Sequence, residues 1–171
     1  MGDPPTPRVD RDRDPAGRPR NARPRDALGR PLPRGGENAG WRERLAAADA
    51  EVALPPEAAL AEADRLLATG RPFEAHEVLE AVWHVAPPDE RDLWQGLAQV
   101  AVGVTHIYRG NPVGAAALLQ RAANRISVHV GVEHGVDITR LTAEARALAE
   151  LVATSGVDAA RPVAEGLRLR G

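Results

Sequence analysis

Apolar residues recur along most of this chain at spacings of three and four, the period of an amphipathic helix. In "RPFEAHEVLEAVWHV" (71–85), Ala75, Val78, Leu79 and Val82 share one face. "PPEAALAEADRLLATG" (55–70) places proline at its start and Gly70 at its end, the asymmetry of a helix. "DERDLWQGLAQVAVGVTHIYRG" (89–110) is apolar on most sides, as a central buried helix is. "GNPVGAAALLQRAANRISVHV" (110–130) restarts with Asn111 as cap and Pro112 in the first turn. "GVEHGVD" reads as a loop, and "ITRLTAEARALAELVATSG" (138–156) as a last helix stopped by Gly156. No stretch alternates as a strand does; "ISVHVGV" comes nearest and reads as a helix end.

The pattern also repeats. "TGRPFEAHEVLEAV" (69–82) and "RGNPVGAAALLQRA" (109–122) align at an offset of 40, each running Gly, one residue, Pro, then a helix. The unit is a helix–turn–helix pair used twice, which resembles tetratricopeptide-type hairpins in period and turn without matching their full pattern. Two units are too few for an open solenoid. The expectation is an all-α fold, a compact bundle of about five helices spanning 55–156. Ahead of it are a disordered arm (1–37) and a short helix or linker (38–54); a C-terminal tail (157–171) follows.

Composition narrows the picture. The 171 residues are 43% hydrophobic but only 3% aromatic, so the core is built from Ala, Leu and Val. With no cysteine there is no disulfide and no thiolate zinc site. No apolar run is long enough for a membrane span, and the Arg/Pro-rich N-terminus does not read as a signal peptide. A cytoplasmic location is therefore the default expectation. The formal charge of −2 argues against general nucleic-acid binding. The arm alone, with nine arginines and six acids, carries +3. That reads as a solvated tail or as a weak contact arm for an acidic partner or RNA. Arginine without lysine is the mark of a GC-rich coding bias.

The candidate chemistry lies on two polar stripes. Phe73, His76, Glu80 and Trp83 form a second face, turned from the core face of their helix by roughly 130°. Glu74, Glu77 and Ala81 are then left to solvent. On the long helix Gln95, Gln99, Val102 and His106 fall on one line. Polar groups in so apolar a helix need partners, and the simplest pairing sets the two stripes face to face. A His and a Glu at i and i+4 reach one point. With His106 as a third ligand, His76 and Glu80 would suit a divalent metal, zinc or iron(II). Phe73, Trp83, Gln95 and Gln99 would form the supporting shell. The same residues also suit a buried hydrogen-bond network without chemistry, or a site for another small ligand. "HEVLE" lacks the second histidine of a zinc protease. No serine nucleophile has a base beside it, and neither Gly-x-Pro turn is a phosphate loop. His84, His129 and His134 read as surface histidines.

"FEAHEVLEAVW" and "ERDLWQGLAQVAVGVTHIYRGNPVGAAALLQRA" together resemble the bacterial and archaeal family called domain of unknown function 309. Its signature, His-x-x-x-Glu-x-x-Trp/Tyr, is matched by His76, Glu80 and Trp83. The Gln95–Leu97 and Arg109–Ala115 stretches are similar to further family features, while Ala98 stands where a bulkier apolar residue is expected. The resemblance covers about residues 55–130. It implies a small all-helical domain with a signature suggested to bind metal, and it names no reaction, so whether the protein is an enzyme is left open. The readings carried forward are a metal- or ligand-binding helical domain, a tetratricopeptide-like interaction module for a protein partner, and a structural subunit forming a homodimer.

Overall fold

A computed structural model of the chain describes residues 53–171 together with Asp26 and Arg30. The expected arm (1–37), apart from Asp26 and Arg30, and the expected short helix or linker (38–54), apart from Ala53 and Leu54, lie outside the described residues. Among the described residues five helices and one small hairpin follow in order: α1 (Pro56–Ala68), α2 (Pro72–Val85), α3 (Arg91–Tyr108), α4 (Pro112–Ile126), β1 (Val132–Glu133), β2 (Val136–Asp137) and α5 (Ile138–Gly166).

The two turns predicted from the internal repeat have the same geometry. Gly70 and Gly110 have φ of 71° and 72°, a left-handed conformation that costs glycine little. After α1, Arg71 N–H donates to the Leu66 carbonyl at 2.9 Å and Gly70 N–H to that of Leu67 at 3.1 Å. After α3, Asn111 N–H donates to His106 and Gly110 N–H to Ile107, at the same two distances. Each turn thus closes its helix with the paired bonds of a Schellman motif. The proline that follows fits the next first turn, where no N–H is needed. α2 ends where Ala86 turns extended before Pro87, as the residue preceding proline must.

Neighbouring helices pack in sequence order, and α3 also touches α5. α3 is the centre: Leu93, Trp94, Leu97, Val100, Ala101 and Ile107 are all fully buried. It approaches α4 closely at two glycines. A Cβ at Gly96 would stand 2.6 Å from Ile126 Cγ1, and one at Gly103 would stand 2.7 Å from Leu119 Cγ. Ala75, Val78, Leu79 and Val82 are buried as the core face of α2.

Several features depart from the sequence reading. The loop after α4 contains an antiparallel hairpin pairing Val132 with Asp137 and Glu133 with Val136. Its tip, His134 and Gly135, has φ of 51° and 81°, the two positive values of a type I′ turn. Gly156 (φ 81°, ψ 177°) is non-helical and ends the first helical segment of α5 as expected, but a second segment follows and runs to Gly166. The segment 157–171, expected as a tail, is packed, with Ala160, Ala164, Leu167 and Leu169 buried. Asp64 of α1 accepts from Leu169 N–H at 2.7 Å. Arg140 of α5 donates to the Arg168 and Leu169 carbonyls. The packed unit therefore runs past Gly156 because its apolar side chains join the core and its backbone donors and acceptors find partners on α1 and α5. Glu74, expected in solvent, is buried instead. The guanidinium of Arg71 answers it through two hydrogen bonds, as a buried charge requires.

Candidate functional site

His76 and Glu80 stand one helical turn apart on α2, with His76 Nε2 3.5 Å from Glu80 Oε2. That is longer than a normal hydrogen bond. It matches the separation of about 3.4 Å expected for two donors on one tetrahedral ion with bonds near 2.0–2.1 Å. The His76 side chain is 20% exposed and that of Glu80 is 41% exposed. The site expected to be buried is thus an outer seam, with its imidazole inside and its carboxylate at the rim. A carboxylate without a cation beside it is best left partly hydrated. Phe73 lies against His76 with ring centroids 6.0 Å apart. Trp83, half-buried at the other end, lies against His84 at 4.9 Å.

Burial makes the His76 ring harder to protonate than a free histidine; the Glu80 carboxylate and the Ala98 backbone oppose this without reversing it. The imidazole is therefore neutral near pH 7 and keeps one lone pair. Its Nδ1 is buried without a hydrogen-bond partner, as is Oε1 of Gln99 on α3. An unmatched buried polar group costs about 1–3 kcal/mol. Through these two atoms the facing stripes make no hydrogen bond to each other. Gln95, the other member of the expected shell, is half-buried on the same line of α3.

His106 does not join them. His76 meets α3 at the level of Ala98, and His106 lies eight residues further, about 12 Å along the helix axis. Glu80 lies in the opposite direction, because α2 and α3 are connected by a short turn and run antiparallel. His106 is engaged elsewhere: Asn111 Nδ2 donates to its Nδ1 at 2.8 Å. Asn111 Oδ1 meanwhile accepts from Gly114 N–H, capping α4. A Cβ at Gly114 would stand 2.5 Å from Asn111 Nδ2 and 2.6 Å from His106 Nδ1. Burial, and then the charge of Arg109, lower the basicity of His106. Its place in the predicted metal set is thus corrected: it is part of the α3–α4 turn. Among the described residues no three His, Asp or Glu side chains are grouped so as to hold a metal ion. The donor set His76, Glu80 and His106 does not fit a common metal, whereas the His76–Glu80 pair fits two of its positions.

A second polar cluster escaped the sequence reading. Glu90 Oε2 accepts from Trp94 Nε1 at 2.9 Å and meets His134 Nε2 at 3.0 Å. The Trp94 bond, with the two nearby histidines, holds the Glu90 carboxyl below its ordinary range against the effect of burial. His129, read as a surface residue, has a side chain only 9% exposed and is paired with Glu133 at 3.0 Å. These contacts fasten the hairpin to the start of α3. The only local signal was "HG", a dipeptide suited to a type I′ tip. Beside it Glu57, Asp64, His134, Arg168 and Arg170 line an open cleft of about 520 Å³. Asp64 and Arg168 are already answered there by chain backbone.

The half-buried His/Glu/Trp stripe on α2, the seam it shares with α3 and the Asn111-capped turn all lie inside one recognised segment. The sequence profile of the family described as "Domain of unknown function (DUF309)" matches residues 60–118. Residues 60–118 are thus similar to the DUF309 family. The DUF309 segment holds α2 and α3 entire, most of α1 and the first half of α4. A relative from Bacillus subtilis (strain 168), "Uncharacterized protein YpuF", is 37% identical over 70 residues, covering 37% of this chain and 40% of the relative. The chain therefore spans about two fifths of the length of the curated relative it matches. No solved structure matches.

Proposed function

We propose that the DUF309-like domain binds a ligand at the outer seam between α2 and α3, through Nε2 of His76 and the carboxylate of Glu80. The simplest occupant is a divalent metal ion, zinc or iron(II), completed by solvent or by a small bound molecule. The observation that carries this reading is the 3.5 Å separation of a neutral imidazole nitrogen and a carboxylate oxygen at a half-open surface. When bound, such an ion would act as a Lewis acid. His76 and Glu80 would hold it, and the Phe73 ring would limit water on one side. Titration of the metal-free full chain with zinc, followed calorimetrically, tests this. One equivalent should bind, His76→Ala and Glu80→Gln should each weaken it at least tenfold, and His106→Ala should leave it unchanged. No uptake, or uptake indifferent to His76 and Glu80, overturns the proposal.

The duplicated Gly-x-Pro turn supports a second reading, a helical-hairpin interaction module in which the stripes are structural. On that reading His76→Ala lowers the melting temperature and alters no ligand affinity.

A further inference from the structure

The His76–Glu80 pair supplies two donors, while a closed zinc site takes four. Among the described residues no third His, Asp or Glu is grouped with it. The pair is turned outward, with its carboxylate at the rim. Its surroundings have a symmetry of their own. Phe73, His76, Glu80 and Trp83 stand at −5, −2, +2 and +5 from position 78. In a helix all four fall within about 40° of the line opposite Val78, and Val78 itself lies in the core. A two-fold axis at this level pairs α2 antiparallel with α2 of a second copy. It sets His76 of each copy opposite Glu80 of the other, and Phe73 opposite Trp83. The ridge is therefore self-complementary, as an isologous contact requires.

We infer that this ridge of α2 binds a second copy of the chain through one shared zinc ion, held by Nε2 of both His76 rings and one oxygen of each Glu80 carboxylate. The inference rests on the His76–Glu80 pair being a metal site. Two carboxylates cancel the charge of the ion, as a centre taken out of water requires. Phe73 and Trp83 flank the ion from both ends and limit water. One helix ridge from each copy is small beside the roughly 1,200–2,000 Å² of a stable interface. The ion therefore holds the pair together, and the metal-free chain is a monomer. Excess zinc fills each half-site separately, one ion per chain with solvent completing it, and parts the copies.

Sedimentation velocity of the full chain at several zinc ratios, with elemental analysis of the sedimenting species, tests this. In chelator the chain should be a monomer. At half an equivalent it should be a dimer carrying one zinc per two chains, and excess zinc should part it. Glu80→Gln, a conservative change at the rim, should abolish the dimer. Phe73→Ala, which removes a flank but no ligand, should weaken it about tenfold. A chain that takes up zinc through His76 and Glu80 yet stays monomeric at every ratio overturns the second copy and leaves the metal reading standing. A dimer indifferent to zinc, to Glu80→Gln or to Phe73→Ala is a different contact and overturns the inference as well. A chain that takes up no zinc removes the metal reading and this inference together.

Discussion

At the scale of single residues, burial decides which side chains carry charge, and His76 and His106 are both harder to protonate for it. Ala75, Val78, Leu79 and Val82 could be assigned to the core from spacing, because a helix turns by a fixed angle. Glu74 could not, because its burial depends on Arg71, which lies outside the helix and folds back over it. His106 misled for a similar reason. Its line on α3 is right, but the side chain answers to Asn111, across a turn that spacing does not describe. The protonation of His76 and His106 gives a testable consequence. Both are harder to protonate in the fold than a free histidine with a pKa of 6.5. The unfolded chain therefore binds more protons in this range, so stability is full above pH 6.5 and falls as pH drops through the folded values. Glu62 and Glu90, held below 4.5, contribute stability that is lost only at lower pH. Melting temperature should accordingly decline between about pH 7 and pH 5. His76→Ala should flatten part of that decline. A wild-type profile level across the range would contradict the burial of both rings.

At the scale of elements, the repeat at an offset of 40 located both turns, since Gly and Pro each impose a backbone requirement that few other residues meet. The hairpin was illegible because each strand has only two residues, too few for any alternation to show. Gly156 closes one helical segment, as its positive φ allows, but nothing in its own sequence signals that a second segment starts directly after it. What the sequence could not announce was the intimacy of α3 with α4. Gly96 and Gly103 fall seven residues apart, and each admits an apolar side chain of α4 where a Cβ would stand. Alanine favours an interior helix over glycine by about 1 kcal/mol, so propensity alone predicts that Gly96→Ala and Gly103→Ala stabilise. Overpacking opposes it, and at contacts of 2.6 and 2.7 Å it should dominate, for a net destabilisation of about 1–3 kcal/mol. Gly166→Ala, with nothing within 4 Å of its added methyl, provides the contrast and should be neutral or slightly stabilising. Denaturant unfolding of the three variants measures both signs. A stabilised Gly103→Ala would mean that α4 yields more readily than the packing suggests.

At the scale of the whole molecule, the DUF309 segment and the folding unit are not the same object. The segment ends at residue 118, in the middle of α4, and Leu119, Ala122, Ala123 and Ile126 of that helix are fully buried beyond it. Ile126 and Leu119 fill the hollows left by Gly96 and Gly103, so a segment cut at 118 would expose the centre of α3 to water. α5 covers the other side of α4, and Asp64 of α1 ties down the chain at Leu169, 105 residues away. A stretch of about 60 residues has little surface to bury in any case. Residues 60–118 expressed alone should therefore be largely unfolded by far-ultraviolet circular dichroism and show no cooperative melt, whereas residues 53–171 should melt in one transition. The seam that holds His76 and Glu80 would then owe its shape to helices that contribute nothing to it directly. A fragment 60–118 that melts cooperatively would instead show that α1, α2 and α3 suffice, and that α4 and α5 are an addition to an autonomous site.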